Sequence, residues 1–418
     1  MMPRPAEPQV HVIGAGLAGL AAAAALVEAG RRVVVYEAGP AAGGRCRSYF
    51  DRGLGCRIDN GNHLLLSGNH AAYAYLDRFG TRRSLGGPGE AVFPFLDRET
   101  GERWTLRPSP GRIPWWLLGR RRLVPGTRVR DYLALLRLRR ATEEDTVEAL
   151  LGGGTLYRRL LEPLAIAALN THPGQASARL LAAVLAETLL RGGAHCIPAY
   201  PRLGLSESFV DPAIAWLQAR GGRVLYGRRV AGLTVEDGRV TAFGTPDGTV
   251  AVAAGEAVVL AVPAWVAADL LPGLTTPDAH EAILNIHFRI GSDPKHAGFI
   301  GLIGGTAEWM FIKPEIISVT ISAANRLLDE PSPVIAEAVW RDVAAVCDFT
   351  VPMPPVRVLK EKRATFAATH AQDRRRPPAR TPLANLALAG DWTATGLPAT
   401  IEGAIRSGET AAATLLAA

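Results

Sequence analysis

Residues 9–13, QVHVI, alternate polar and apolar and then run apolar, as a short strand does. Gly14 to Gly19 follow and open an alanine-rich stretch that reads as a helix to about Gly30. Residues 32–36, RVVVY, are a continuous apolar run, a strand buried on both faces, ending at Glu37. Further on, 223–263 reads as a meander of five strands, GRVLYG, RRVAGLTVE, RVTAFG, TVAVAA and AVVLAVP, with turns at Asp237-Gly238 and Asp247-Gly248. Near the end, NLALAGDW (385–392) is a strand running into Gly-Asp, and 397–416 is a helix opened by Pro398 and Thr400. One stretch resists this patterning. In IDNGNHLLL (58–66), Asp59, Asn60, Asn62 and His63 crowd around Gly61 just before three leucines. Buried, each polar group needs a partner.

The first strand, helix and second strand form a βαβ unit around Gly14-Ala15-Gly16-Leu17-Ala18-Gly19, with Glu37 where a ribose hydroxyl would be met. Gly14 allows the tight turn, Gly16 the close approach of a pyrophosphate, and Gly19 the packing of helix on strand. The helix start supplies oriented N–H groups for phosphate. Gly14, Gly16, Leu17, Ala18, Glu37 and Ala38 are therefore the candidate dinucleotide contacts. Glu37 disfavours a 2′-phosphate, which leaves NAD and FAD.

Composition narrows the class. The chain has 418 residues, 48% hydrophobic and 20% charged, enough for two domains and a large core. Its net charge of +7 is carried almost wholly by arginine, with lysine at 295, 313, 360 and 362 only. Four cysteines with no CxxC spacing suggest neither a disulfide framework nor a metal site, and point to a reducing cytoplasm. Arg4 and the apolar 17–27 stretch imitate a signal peptide, but the stretch starts inside the glycine motif. The best membrane-span candidate, 257–274, is broken by Pro263, Asp269 and Pro272. The strongest shift in composition is 112–140, with nine arginines, one acid and the pair Trp115-Trp116. That mixture suits an anionic bilayer surface. A solvated face over buried tryptophans is the competing reading. No recognition motif accompanies the arginines, so nucleic acid is not expected.

Gly43-Gly44-Arg45 after Glu37 resembles the GGR loop of the FAD-dependent amine oxidase and carotenoid desaturase superfamily. The Gly390-Asp391 strand end and the helix from Thr400-Ile401 resemble its closing flavin motif. The blocks GRCRSYFD, DNGNHLLLSGN, RIPWW, LYRRLLEPLAIAALNT, LSESFVDPAIAWL, GGTAEWMF, KEKRATFA and GDWTATGLPATIEGAIRSG are more specific. Together they resemble the bacterial hydroxysqualene dehydroxylases over essentially the whole chain. The resemblance implies an α/β fold: a discontinuous Rossmann-like FAD-binding domain (8–80, 203–268, 383–418) and an α+β substrate domain (81–202, 269–382) facing a membrane. It implies non-covalent FAD, with Gly44 and Arg45 at the pyrophosphate, Val230 at the adenine, and Gly390 and Asp391 at the ribityl-phosphate stretch. Thr400-Ile401 would then meet the flavin N1 edge, and Gly61, Asn62 and His63 the isoalloxazine. The implied reaction is reduction of hydroxysqualene to squalene. A lipid-soluble substrate and the basic 112–140 segment together suggest a peripheral place on the inner membrane.

An allylic hydroxyl leaves poorly unless it is protonated as the C–O bond breaks. His63 is the leading acid, with Asp59 as its orienting partner; Glu308, beside Trp309 and Phe311, is the second. An isoprenoid desaturase running the flavin in the oxidative direction is the main rival. An amine oxidase fits less well, because Thr400 stands where that group places a cage tyrosine. A non-catalytic membrane flavoprotein would need none of these motifs. The electron donor is left open between a separate reductase and transiently bound NAD(P)H.

Overall fold

The computed structural model describes residues 8–293 and 298–417; Arg4, Lys295 and Ala418 lie outside them. A five-stranded parallel sheet forms one layer, in the order Arg223–Leu225, Arg32–Tyr36, Gln9–Ile13, Ala257–Leu260 and Leu386–Leu388. Its strands read as apolar runs because both faces are covered. On one face lie the helices Leu17–Glu28 and Ile401–Leu416, and on the other the three-stranded antiparallel layer Gly232–Glu236, Arg239–Thr245 and Gly248–Ala251. The two helices cross closely. A Cβ on Gly408 would stand 2.1 Å from the carbonyl oxygen of Ala18, so only glycine fits there.

The expected five-stranded meander needs correction. Only its middle three strands form one. The first and last, 223–225 and 257–260, join the parallel sheet on either side of the first βα unit. Alternation within a segment does not reveal which distant strand will pair with it.

The second large layer is a seven-stranded mixed sheet. Its order is Val356–Phe366, His280–Phe288, Ile316–Ile321, Trp309–Lys313, Gly298–Ile303, Phe93–Asp97 and Arg103–Leu106. Its two faces differ. Leu284, Ile286, Val319, Met310, Ile300 and Leu302 form a core under the helix Ser332–Cys347. The opposite face carries Asn285, His287, Ser318 and Thr320, and then Trp309, Phe311, Phe299, Phe95, Phe93 and Trp104. The far end of that face is roofed by a helical layer between 115 and 190. Polar residues therefore lie toward the parallel sheet and aromatic ones away from it.

Candidate functional site

The first βα turn is built for a close phosphate approach. A Cβ on Gly14 would strike the carbonyl oxygen of Ala261 at 2.4 Å, and one on Gly19 the carbonyl oxygen of Gly14 at 1.9 Å. A Cβ on Gly16 would instead meet nothing within 4 Å. That open space lies beside the next loop, since Gly16 bridges to Gly43 and a Cβ on Gly44 would come within 3.6 Å of the Gly16 Cα. Glu37 accepts from the amides of Ala15 (3.0 Å) and Gly39 (2.7 Å), which fixes the carboxylate at the loop it would serve. Ala38 is exposed beside it. Val230 is buried, but it sits in an extended link just ahead of the Gly232–Glu236 strand rather than within a strand.

Arg45 joins the two ends of the chain. Its guanidinium donates to both carboxylate oxygens of Asp391 (2.7 Å each) and to the carbonyl of Ala364 (2.5 Å). Asp391 is buried, while 43% of the Arg45 side chain stays exposed. Its guanidinium is nevertheless desolvated, and Asp391 and Glu361 favour its charge, so Arg45 lines a deep recess rather than the outer surface. Below it, Gly390 has φ +152° and leaves room for the ring of Trp392. The helix from Ile401 starts at Thr400, whose hydroxyl accepts from the Gly403 amide at 3.0 Å. The positive end of this helix therefore lies at Thr400-Ile401.

Sequence reasoning missed Arg376. It is buried and donates to the carbonyls of Thr393 (2.9 Å) and Asp391 (3.1 Å) and to the Thr395 hydroxyl (2.7 Å). It thus clamps the whole 391–395 loop, with Asp373 as counter-charge. One arginine in the run RRR carries no local signal of this.

The polar stretch 58–63 lies along the open face of the seven-stranded sheet. Asn62 donates to the Thr320 hydroxyl (3.0 Å), and its amide meets Asn285 (3.4 Å). Asn60 donates to Glu361 (3.3 Å), and its carbonyl accepts from Asn285 (3.2 Å). The asparagines are therefore satisfied largely by protein groups. A Cβ on Gly61 would come within 3.1 Å of the Asn285 amide. His63 differs: among the described residues its ring has no hydrogen-bond partner. Burial, with Arg45 nearby and against the pull of Asp59, lowers its pKa to about 4.

Two expected pairings change. Asp59 does not hydrogen-bond His63; its carboxylate takes Ser48 (2.6 Å), the Leu205 amide (2.8 Å) and Lys313 (3.4 Å). It acts on His63 through charge alone. Glu308 does not share the side of Trp309 and Phe311. Its carbonyl accepts from the Leu302 amide, so the ladder continues and alternation sends its side chain to the opposite face. There it accepts from the Ser322 amide (2.7 Å), and burial raises its pKa to about 7.

Beyond His63 and Asn62 the open face becomes aromatic. Tyr200 packs on Phe299 and Phe311, Phe299 on Trp309, and Phe95 on Trp309 and Trp104, with centroids 5.6–6.4 Å apart. A Cβ on Gly301 would meet the Phe95 ring at 2.7 Å, so glycine there lets the rings close up. Trp104, Tyr200 and Trp309 are only partly buried. Among the described residues no group of histidine, cysteine and acid side chains could hold a metal ion, and no helix is long and apolar enough to cross a membrane.

The flavin containing amine oxidoreductase family matches residues 17–292 and 306–416. The hydroxysqualene dehydroxylase of Zymomonas mobilis is 47% identical over 96% of this chain and 97% of its own. That of Rhodopseudomonas palustris is 49% identical over 98% of each. Among solved structures, an oxidoreductase from Methanosarcina mazei superimposes with a TM-score of 0.72 at 16% identity, covering 96% of this chain and 98% of that one. The fold therefore outlasts sequence similarity, and the cofactor of this chain is FAD. The chain belongs to the flavin containing amine oxidoreductase family and, within it, to the hydroxysqualene dehydroxylases.

Proposed function

We propose that this protein reduces the allylic alcohol hydroxysqualene to squalene, and that it does so docked on an anionic membrane surface. The carrying observation is identity of 46–49% with three hydroxysqualene dehydroxylases over nearly the full chain. The glycine cradle, the Arg45–Asp391 pair and the Ile401 helix start would hold FAD. When bound and reduced, it supplies a hydride, which replaces the hydroxyl as water leaves.

The residues divide the remaining work. The aromatic wall offers π-faces to a polyene and to positive charge at an allylic carbon. Asn60 and Asn62, held by Glu361, Thr320 and Asn285, keep the polar edge rigid. His63 presents unpartnered ring nitrogens to the recess and delivers the proton to the leaving oxygen. With a pKa of about 4, its imidazolium is a strong acid, though a scarce one at neutral pH. Glu308 retains its proton up to about pH 7 but lies across the sheet, where it caps Ser322.

The membrane reading rests on exposure. Ile113, Trp115, Leu118, Val129, Leu133 and Leu136 are between 45% and 73% exposed, interleaved with the arginines of 112–140. Trp116 is buried against Tyr132, so one tryptophan serves the core and its neighbour the surface.

Purified FAD-loaded protein, given hydroxysqualene and a chemical reductant without oxygen, should form squalene repeatedly. Omitting the reductant should stop product after the flavin is spent. A more unsaturated product, formed with an oxidant instead, would move the protein to the desaturases.

A further inference from the structure

A second cavity, of about 520 Å³, lies in the helical layer away from the flavin recess. One wall is the 129–140 segment; the other is the start of a helical run in which Gly154–Leu156, Tyr157–Leu161 and Glu162–Leu169 follow without a break. The floor is Leu151, Leu156 and Leu161, and Arg130 and Arg137 stand in the wall. At the head of the helical run the first amides have no intrahelical partner and carry the positive end of the helix.

The glycines there leave this backbone bare. Gly153 and Gly154 have φ of +91° and +80°, and a Cβ on either would meet nothing within 4 Å. Tyr157 borders the same cavity, is 6% exposed, and its hydroxyl has no hydrogen-bond partner. Burial, with Glu162 and Glu148 nearby, pushes its pKa up to about 12, so the hydroxyl remains a donor. Arg137 spends one nitrogen on the Leu150 carbonyl (3.1 Å). Arg130 lies 3.9 Å from Asp131, whose carboxylate also takes the Arg128 amide at 2.8 Å. Leu133 lines the cavity and is 60% exposed, so the apolar lining reaches the surface.

We infer that this cavity binds one anionic membrane phospholipid, its phosphodiester on the amides of Gly153–Thr155 and the guanidiniums of Arg130 and Arg137. An acyl chain would lie against Leu133, Leu151 and Leu156. An anion at a helix start, backed by arginines and beside an apolar lining that opens at Leu133, matches the chemistry of a lipid headgroup and its acyl chain. The inference rests on the membrane reading above and adds a defined site to it.

The test titrates a short-chain phosphatidylglycerol, below its micelle concentration, into the FAD-loaded protein. Saturable binding of one lipid is expected. Arg130→Ala with Arg137→Ala should weaken it at least about tenfold, the scale of a lost charge-assisted phosphate contact. Arg120→Ala with Arg121→Ala removes equal charge from the same surface outside the cavity and should retain saturable binding. No saturation, or equal loss in both double variants, would reduce the site to diffuse electrostatics and overturn the inference. Inorganic phosphate binding as tightly as the lipid would overturn it too, since the apolar floor would then contribute nothing. Wild-type turnover of hydroxysqualene in detergent is measured alongside. Normal turnover without lipid binding sinks the lipid site alone; lipid binding without turnover sinks the catalytic reading alone.

Discussion

Arg45 and Asp391 lie 346 residues apart and share two hydrogen bonds of 2.7 Å. Each was legible in the sequence as part of a motif, but their pairing was not, because nothing local links the two ends of the chain. His63 was legible too, as a polar residue stranded before three leucines. Asn285, Thr320 and Glu361, which hold its neighbours, were not read. The trace of the first two is faint: polar residues two apart within the apolar strands LNIHF and ISVTI. The two candidate acids can be separated by pH. If His63 donates the proton, kcat/KM should fall roughly tenfold per pH unit from pH 5 to 8, and His63→Ala should cost about 10²–10⁴-fold. A plateau up to about pH 7 followed by a fall would contradict His63 as the donor. Glu308 also leaves a stability signature. Its folded pKa of about 7 lies above the ordinary 4.5, so the folded state holds the proton that the unfolded chain has lost. That contribution is present in acid and is lost as pH rises from 4.5 through about 7. Glu308→Gln should therefore melt higher than the parent at pH 8.5, by roughly 2–4 °C, with the gap closing by pH 5. A gap independent of pH would show that the carboxyl is not held neutral.

At the scale of elements, the strands 9–13 and 32–36 were found to the residue: burial on both faces makes 32–36 an apolar run, and the glycine turn that follows marks the end of 9–13. The 223–263 segment was misassigned at both ends, because partner choice is set by tertiary packing that alternation does not encode. Helix packing follows the same logic. Gly408 reads as an ordinary small residue in a terminal helix, yet it permits the contact with Ala18 and Ala22 on the helix of the dinucleotide motif. Gly408→Ala should destabilise the fold by about 1–3 kcal/mol through overpacking. It should also weaken FAD retention, because pushing the helices apart disturbs the phosphate-facing start at Leu17-Ala18. Thermal unfolding with and without added FAD reads both effects. An unchanged melting temperature would mean that the crossing is looser than its geometry requires.

Across the whole molecule, one end of the open sheet face is polar, the other is aromatic, and a basic, apolar surface lies on the helical layer. The sequence showed that surface as composition, but could not say which tryptophan of the pair was outside. The exposed one, Trp115, and Leu118 should each add about 1.5–3 kcal/mol to bilayer affinity if buried there. Trp115→Ala with Leu118→Ala should thus lower binding to phosphatidylglycerol-containing vesicles at least tenfold in a sedimentation assay. Unchanged binding would remove the membrane from the account. The chemistry itself is tested most directly by an anaerobic single turnover. The flavin of the purified protein is reduced stoichiometrically, hydroxysqualene is added, and flavin absorbance and squalene are followed together. One squalene for each flavin reoxidised is the expected result. Flavin that stays reduced, with no squalene, in folded and FAD-loaded protein would contradict it.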